Sequence, residues 1–399
     1  MKILQVNNVY GEKSTGKLTQ ALHLGLREAG VDAVAVYGRG VGASDEGLIR
    51  LCPEWYARLS ALLCRITGTP YGWCLLSTAR LKGIIRREKP DVVHLQCING
   101  NFVNIYSLIR WLKKHRIKTV SSQHAEFMYT ANCGYAFDCH RWKTGCGHCP
   151  NAKKATKSLF RDGTAGSWKR MRKAFRGFEE DCLICSVSPW TEGRAKQSGI
   201  LEGFSFRTVL NGVDTNVFHR GQALPREQGP VVLNVTAEFS LDPEHIKGGY
   251  WLAELAKRMP EVTFWVAGPG NAEGLPENLK LLGPLSDQRR LAERYAQADL
   301  TVLVSKKETF SMPCAESLCC GTPVVGFRAG APEQISLPAY SAFVDYGDLD
   351  ALEAQVRSWL EQAHDRDQIA REARETYSQQ TMIKEFREVY EQCLLTKTN

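Results

Sequence analysis

The feature that most constrains this chain is a pattern of short apolar runs alternating with stretches of helical periodicity, written twice. Apolar runs at 2–8, 32–37, 91–95, 117–122 and 182–187 read as strands, and helical repeats at 18–29, 57–66, 78–87 and 103–115 fall between them. The pattern restarts with strands near 231–235, 262–267, 299–304 and 323–326. Strands separated by helices cannot pair as tight hairpins. Each crosses over and pairs in parallel, with helices covering the sheet. One hydrophobic core seldom organises 399 residues, so the doubled pattern predicts an α/β chain of two doubly wound, Rossmann-like domains facing a cleft. The first domain is expected over 1–205 and the second over 206–380, with 381–399 forming a C-terminal helix that returns to the first. The boundary is placed between 206 and 230, where Asn211-Gly212 is a turn signal and 221–230 is polar with two prolines and two glycines.

Composition narrows the classes. With 43% hydrophobic and 24% charged residues the chain is neither disordered nor collagenous. No apolar run reaches the roughly 18 residues of a membrane span, and 1–10 lacks the basic start and apolar core of a signal peptide. A cytoplasmic chain is expected, and its fourteen cysteines are then reduced thiols or metal ligands rather than a disulfide framework. Charge is unevenly placed. Residues 1–200 carry 31 Lys and Arg against 15 Asp and Glu, whereas 201–399 carry 20 against 28. The basic half suits nucleic acid, anionic lipid or a pyrophosphate-bearing substrate.

Two motifs stand out in the basic half. Cys133, Cys139, Cys146 and Cys149 fall within 17 residues of a glycine-containing loop, inside a Cys-rich basic insert, 133–176. Four thiolates at that spacing predict one structural zinc, closed to water and without a chemical role, with His140 and His148 as spare ligands. The alternative is four reduced cysteines in a long loop. Cys182 and Cys185 share the two-residue spacing but sit in an apolar strand and read as core. Residues 11–18 (GEKSTGKL) come within one position of a phosphate-binding P-loop, but Leu18 stands where a metal-binding hydroxyl belongs and Thr19 follows one place late. A glycine loop that includes Gly16 and lends backbone N–H groups to a ligand is the preferred reading.

The second half carries Glu308 and Glu316 around a strand-to-helix turn through Thr309, Phe310, Ser311, Met312 and Pro313. Proline suits a first helical position, and free N–H groups there attract anions. Both carboxylates are placed to face one small ligand, although a solvated Glu308 and a salt-bridged Glu316 would also fit. Lys247 precedes Gly248-Gly249 after the first strand of this half, at the strand ends where ligands of such sheets bind, and Gly268 ends the next strand. His124 follows the strand 117–122.

Taken in order, these pieces resemble the family 4 retaining glycosyltransferases of the GT-B fold. The resemblance rests on the glycine loop, His124, Asn211-Gly212-Val213-Asp214, Lys247-Gly248, the Gly268 turn, Glu308-x7-Glu316 and Cys320-Gly321-Thr322-Pro323-Val324-Val325. The stretch 133–150 is similar to a narrower branch, the colanic acid glycosyltransferases of bacterial exopolysaccharide synthesis. The resemblance implies a nucleotide-diphosphate sugar (UDP or GDP type) in the second domain and an acceptor in the first. It implies that Glu316 holds the ribose hydroxyls, Glu308 the hydroxyls of the transferred sugar, Lys247 the departing diphosphate, and His124 the sugar. Catalysis would need no metal and would retain configuration by front-face attack.

Two departures are visible. The family's usual arginine before the lysine is missing from 237–246, which offers Glu238, Asp242 and Glu244 instead. Glu126 stands where the narrower branch often has a histidine, and so becomes a candidate acceptor base. Acceptors in such pathways are typically lipid-linked, so 153–176, with its cations and Phe160, Trp168 and Phe175, is expected to rest on the inner face of the membrane as a peripheral contact. Nucleic acid is not expected as a partner. The competing classes are a zinc-containing nucleic-acid-binding protein, a P-loop kinase, and a phosphorylase or epimerase of the same fold.

Overall fold

The computed structural model describes residues 1–40, 44–150, 152–221, 229–271 and 273–395. The polar stretch 222–228, part of the expected link between domains, lies outside them. The chain divides into two compact units, Met1–Val209 with Met382–Asn399, and Leu210–Thr381.

The first unit is built on seven strands: β1 (Lys2–Asn7), β2 (Asp32–Tyr37), β3 (Leu48–Arg50), β4 (Val92–Leu95), β5 (Thr119–Gln123), β6 (Cys182–Ser186) and β7 (Ser205–Thr208). They pair in parallel in the order β3-β2-β1-β4-β5-β6-β7. Side chains alternate across the sheet. Leu4, Val6, Val93 and Leu95 join the core on one face, while Ile3, Val92, Val120 and Leu183 join the other. That second face is closed by the helix Gln379–Leu395, which contributes Met382, Phe386, Val389, Tyr390 and Cys393. His94 pins it: Nδ1 lies 2.8 Å from the Tyr390 hydroxyl and Nε2 lies 2.7 Å from Ser122 Oγ.

The second unit has β8 (Val231–Val235), β9 (Thr263–Ala267), β10 (Leu279–Gly283), β11 (Leu300–Leu303), β12 (Val324–Phe327) and β13 (Ser341–Val344). Their order is β10-β9-β8-β11-β12-β13, again parallel throughout. In both sheets the order turns back beside the first strand, between β1 and β4 and between β8 and β11. Ligands of open α/β sheets bind outside the carboxyl ends of the strands at such a reversal.

Three expectations need correction. The basic helix Thr164–Phe175 does not offer its aromatics to a membrane. Thr164, Ser167, Trp168, Met171, Ala174 and Phe175 are its buried stripe, and the Trp168 indole N–H donates to the Trp142 carbonyl at 2.8 Å. The glycine loop stops short of Gly16. A helix already begins at Lys13, so Gly16 lies in its first turn against Val9 and Tyr10, and the Thr19 hydroxyl is taken up by Thr15 O and Gln96 Oε1. The four cysteines do not close a tetrahedral site. Among the described residues no group of three or more His, Cys, Asp and Glu is placed to hold a metal ion. Other contacts order the insert instead: Cys133 and Cys146 pack against the core, and Trp142 is buried in it. Cys182 and Cys185 lie buried in β6.

Candidate functional site

The loops after β8 and β11 flank the reversal of the second sheet. The β8 loop returns through Lys247 into the helix Gly249–Arg258. Gly248, at φ +68°, makes that return possible, because a Cβ there would stand 1.9 Å from the Val304 carbonyl oxygen. The two loops are then stitched together by the Lys306 amide, which donates to Ile246 O at 2.8 Å. This approach delivers Lys247 Nζ to Glu308 Oε1 at 2.7 Å, with both side chains largely buried. Glu308 is held from behind by the β12 loop: its N–H donates to Ala329 O, and Ala331 N–H donates to its carbonyl.

From Glu308 the chain passes through buried Thr309 and Phe310 to Ser311. Ser311 sits at φ +88°, a left-handed conformation that favours glycine. Its strain turns the backbone into the helix Met312–Cys319, with Pro313 at the start. In that first turn Pro313 has no N–H and the Cys314 amide donates to Ser311 O at 3.2 Å, so the positive end of the helix dipole is presented by the amides of Ser311 and Met312. Glu316 lies about one turn further on, 9% exposed, and accepts from the Tyr295 hydroxyl at 3.1 Å. Tyr295 is fully buried, and burial together with the neighbouring carboxylate pushes its phenol far above its ordinary value, so it stays a donor. Lys247, Glu308, Ser311 and Pro313 thus share one set of strand-end loops, and Gly268 closes β9 beside them, where a Cβ would stand 2.2 Å from Thr236 O.

Two participants were missed. Tyr295 orients Glu316, and Glu333 accepts from the amides of Ala329 and Gly330, fixing the loop behind Glu308. Glu333 had a faint signal, an acid directly after Pro332 at a helix start; Tyr295 had none. No cation comes from 237–246, and the Lys306 ammonium, on the loop of Glu308, lies over the Tyr346 ring, 5.9 Å from its centroid.

In the first unit His124 follows β5, half-buried, and burial lowers its imidazole to about 4. Glu126, expected as an acceptor base, is 1% exposed and committed to three donors. Tyr129 Oη donates at 2.9 Å, Arg194 Nε at 2.5 Å, and the Ala136 amide at 2.5 Å. The Arg194 guanidinium is itself stacked between Trp142 and Trp190. A carboxylate so occupied holds the insert to the strand end.

Two parallel, doubly wound α/β units, the second with a lysine–carboxylate pair and a helix N-terminus at its strand reversal, define the GT-B class of fold. The HepE structure from Anabaena, solved with UDP, superposes with a TM-score of 0.64 at 16% identity, covering 98% of this chain and 100% of that one. Residues 254–376, within the second unit, match the family Glycosyl transferases group 1. Among sequence relatives, the colanic acid biosynthesis glycosyl transferase WcaC of Escherichia coli (strain K12) is 24% identical over 98% of this chain and its whole length. A GDP-mannose-dependent alpha-(1-6)-phosphatidylinositol dimannoside mannosyltransferase of Mycobacterium tuberculosis is 24% identical over 84% of this chain and 81% of that protein. These likenesses lend no support to a zinc-containing nucleic-acid-binding protein or a P-loop kinase.

Proposed function

We propose that this chain is a retaining, metal-independent hexosyltransferase that moves a sugar from a nucleotide-diphosphate donor of UDP or GDP type to a lipid-linked saccharide in bacterial surface-polysaccharide synthesis. The observation that carries the reading is the Lys247–Glu308 pair, 2.7 Å apart at the strand reversal of the second sheet. An ammonium there, beside the positive end of the 312–319 helix dipole, offers fixed positive charge to a departing diphosphate. Both are in place before the bond breaks, so little reorganisation is needed as charge develops. Glu308 accepts from hydroxyls of the transferred sugar while keeping the lysine aimed. Glu316, oriented by Tyr295, accepts from the paired ribose hydroxyls, and Thr309–Pro313 lines the diphosphate. His124, lowered to about 4 by burial, is neutral near pH 7 and offers hydrogen bonding rather than charge. Relatives named for colanic acid biosynthesis and for a phosphatidylinositol-based acceptor support the polysaccharide and lipid-linked assignments.

The test is a thermal-shift series with UDP, GDP, ADP, dTDP and CMP in EDTA. A ligand at about 100 times its dissociation constant adds roughly 2.7 kcal/mol. One diphosphate should raise the melting point, and Glu316→Ala should abolish the rise. A folded protein indifferent to every nucleotide would overturn the reading.

A further inference from the structure

The helix Glu54–Thr67 in the first unit faces the wrong way for a core helix. Its buried residues are small, Ala57, Ser60 and Cys64. Its large apolar residues point outward: Trp55 is 66% exposed, Leu59 and Leu62 each 47%, and Ile66 41%. Their spacing of four, three and four places them on one stripe, about 16 Å long at the helical rise.

The stripe is extended at both ends. At its start Tyr56 Oη accepts from the Leu76 amide at 3.1 Å, which brings up Leu75 and Leu76, 63% and 76% exposed. At its end the Leu159 amide donates to Arg65 O at 2.9 Å, which brings up Leu159 and Phe160, 45% and 79% exposed. Exposed apolar side chains gathered on one helix face and its flanks mark an interaction site.

Charge identifies the partner. Segments 54–76 and 152–161 carry six Lys and Arg and one acid, Glu54. Glu54 is already neutralised by Arg39 and Arg58. Arg58, Arg65, Lys157 and Arg161 are exposed around the stripe, and Arg65 Nε donates to Lys157 O at 3.3 Å. An aromatic and leucine face rimmed by cations fits the headgroup–acyl boundary of an anionic bilayer, where apolar side chains enter and cations stay at the phosphates. A second copy of the chain fits less well, because a self-complementary face would set these cations against their own kind.

We propose that the stripe Trp55, Leu59, Leu62 and Ile66, with Leu76 and Phe160 at its ends, docks this protein on an anionic lipid bilayer. The proposal deepens the lipid-linked acceptor reading by naming where the membrane is met, and it rests on atoms remote in sequence from the donor site.

The experiment is flotation of the full chain with vesicles of phosphatidylcholine, alone or mixed with phosphatidylglycerol. Binding is expected to the mixed vesicles. Leu59→Ser with Leu62→Ser should weaken it about a hundredfold. Arg58→Ala with Arg65→Ala should remove the preference for phosphatidylglycerol. Because these side chains are exposed, the variants should melt like the parent and keep its nucleotide response. No flotation by the parent, or equal flotation by the leucine variant, would overturn the proposal. So would a dimer in sedimentation that the leucine variant dissociates, since a second copy would then cover the face. Vesicle binding with no nucleotide response would sink the donor assignment and leave this surface standing.

Discussion

Arg194 Nε donates to Glu126 Oε1 at 2.5 Å, joining a helix that follows β6 to the loop that follows β5. Both groups are buried, with side chains 14% and 1% exposed. Removing one partner leaves the other as an uncompensated interior charge, which typically costs about 3–5 kcal/mol. Glu126→Ala should therefore lower the urea midpoint of the first unit sharply. In the fraction that remains folded, turnover should stay near the parent value. Loss of turnover without loss of stability would restore Glu126 as the acceptor base.

Lys247 should behave oppositely. Lys247→Ala is expected to lower kcat/KM by about 100- to 1,000-fold, the usual loss when one charge-stabilising group is taken from a transition state. Glu308→Gln keeps the shape but weakens the hold on the ammonium, so it should lower kcat more than it raises KM. Steady-state kinetics with the responding donor separates the two effects.

Ser311 stores strain. A non-glycine residue in the left-handed region costs roughly 1–3 kcal/mol. Ser311→Gly should recover part of this and raise the melting temperature of the second unit, whereas Ser311→Val should lower it. Differential scanning calorimetry of both variants would show the ordering, and the reverse order would mean that the serine hydroxyl contributes more than its backbone costs.

Acid should loosen the first unit well before carboxylates protonate. Burial lowers His94 to about 3 and His124 to about 4, against an ordinary value of 6.5. The unfolded chain therefore binds more protons than the folded one between these values. The stability associated with neutral histidines is complete above about pH 6.5 and falls as pH drops toward 4, by up to about 1.4 kcal/mol per unit for each histidine. Melting curves across that range should show the slope, and His94→Gln should make it shallower. A melting point indifferent to pH between neutrality and about pH 5 would contradict this account.

The positions of the candidate donor-site residues in the fold could be read from sequence because strand-end loops follow one another in chain order. Lys247 after the first strand of its sheet, and Glu308 and Glu316 either side of a proline-started helix, needed only the alternation of strands and helices to be placed. Tyr295 and Arg194 could not be read this way. Their partners lie 21 and 68 residues away, and nothing in the local pattern reports a side chain's distant neighbour. The cysteine spacing was suggestive, but spacing sets only which thiols can meet; the packing of Cys133, Cys146 and Trp142 against the core decided how the loop was held.

The sequence by itself determined two parallel α/β units, since no other pairing accommodates that alternation, and it determined which loops carry the charged groups. Tertiary structure alone decided which face of each amphipathic helix turns inward. Helical periodicity placed a helix at 57–66 without assigning its buried face, and Trp168 and Phe175 of the basic insert were expected at a membrane. The structure decided both. Ala57, Ser60 and Cys64 went inward, leaving the leucines outside, whereas Trp168 and Phe175 went to the core. Periodicity fixes the spacing of a stripe, but its direction depends on the volume and shape of what it must pack against, and those come from residues far along the chain.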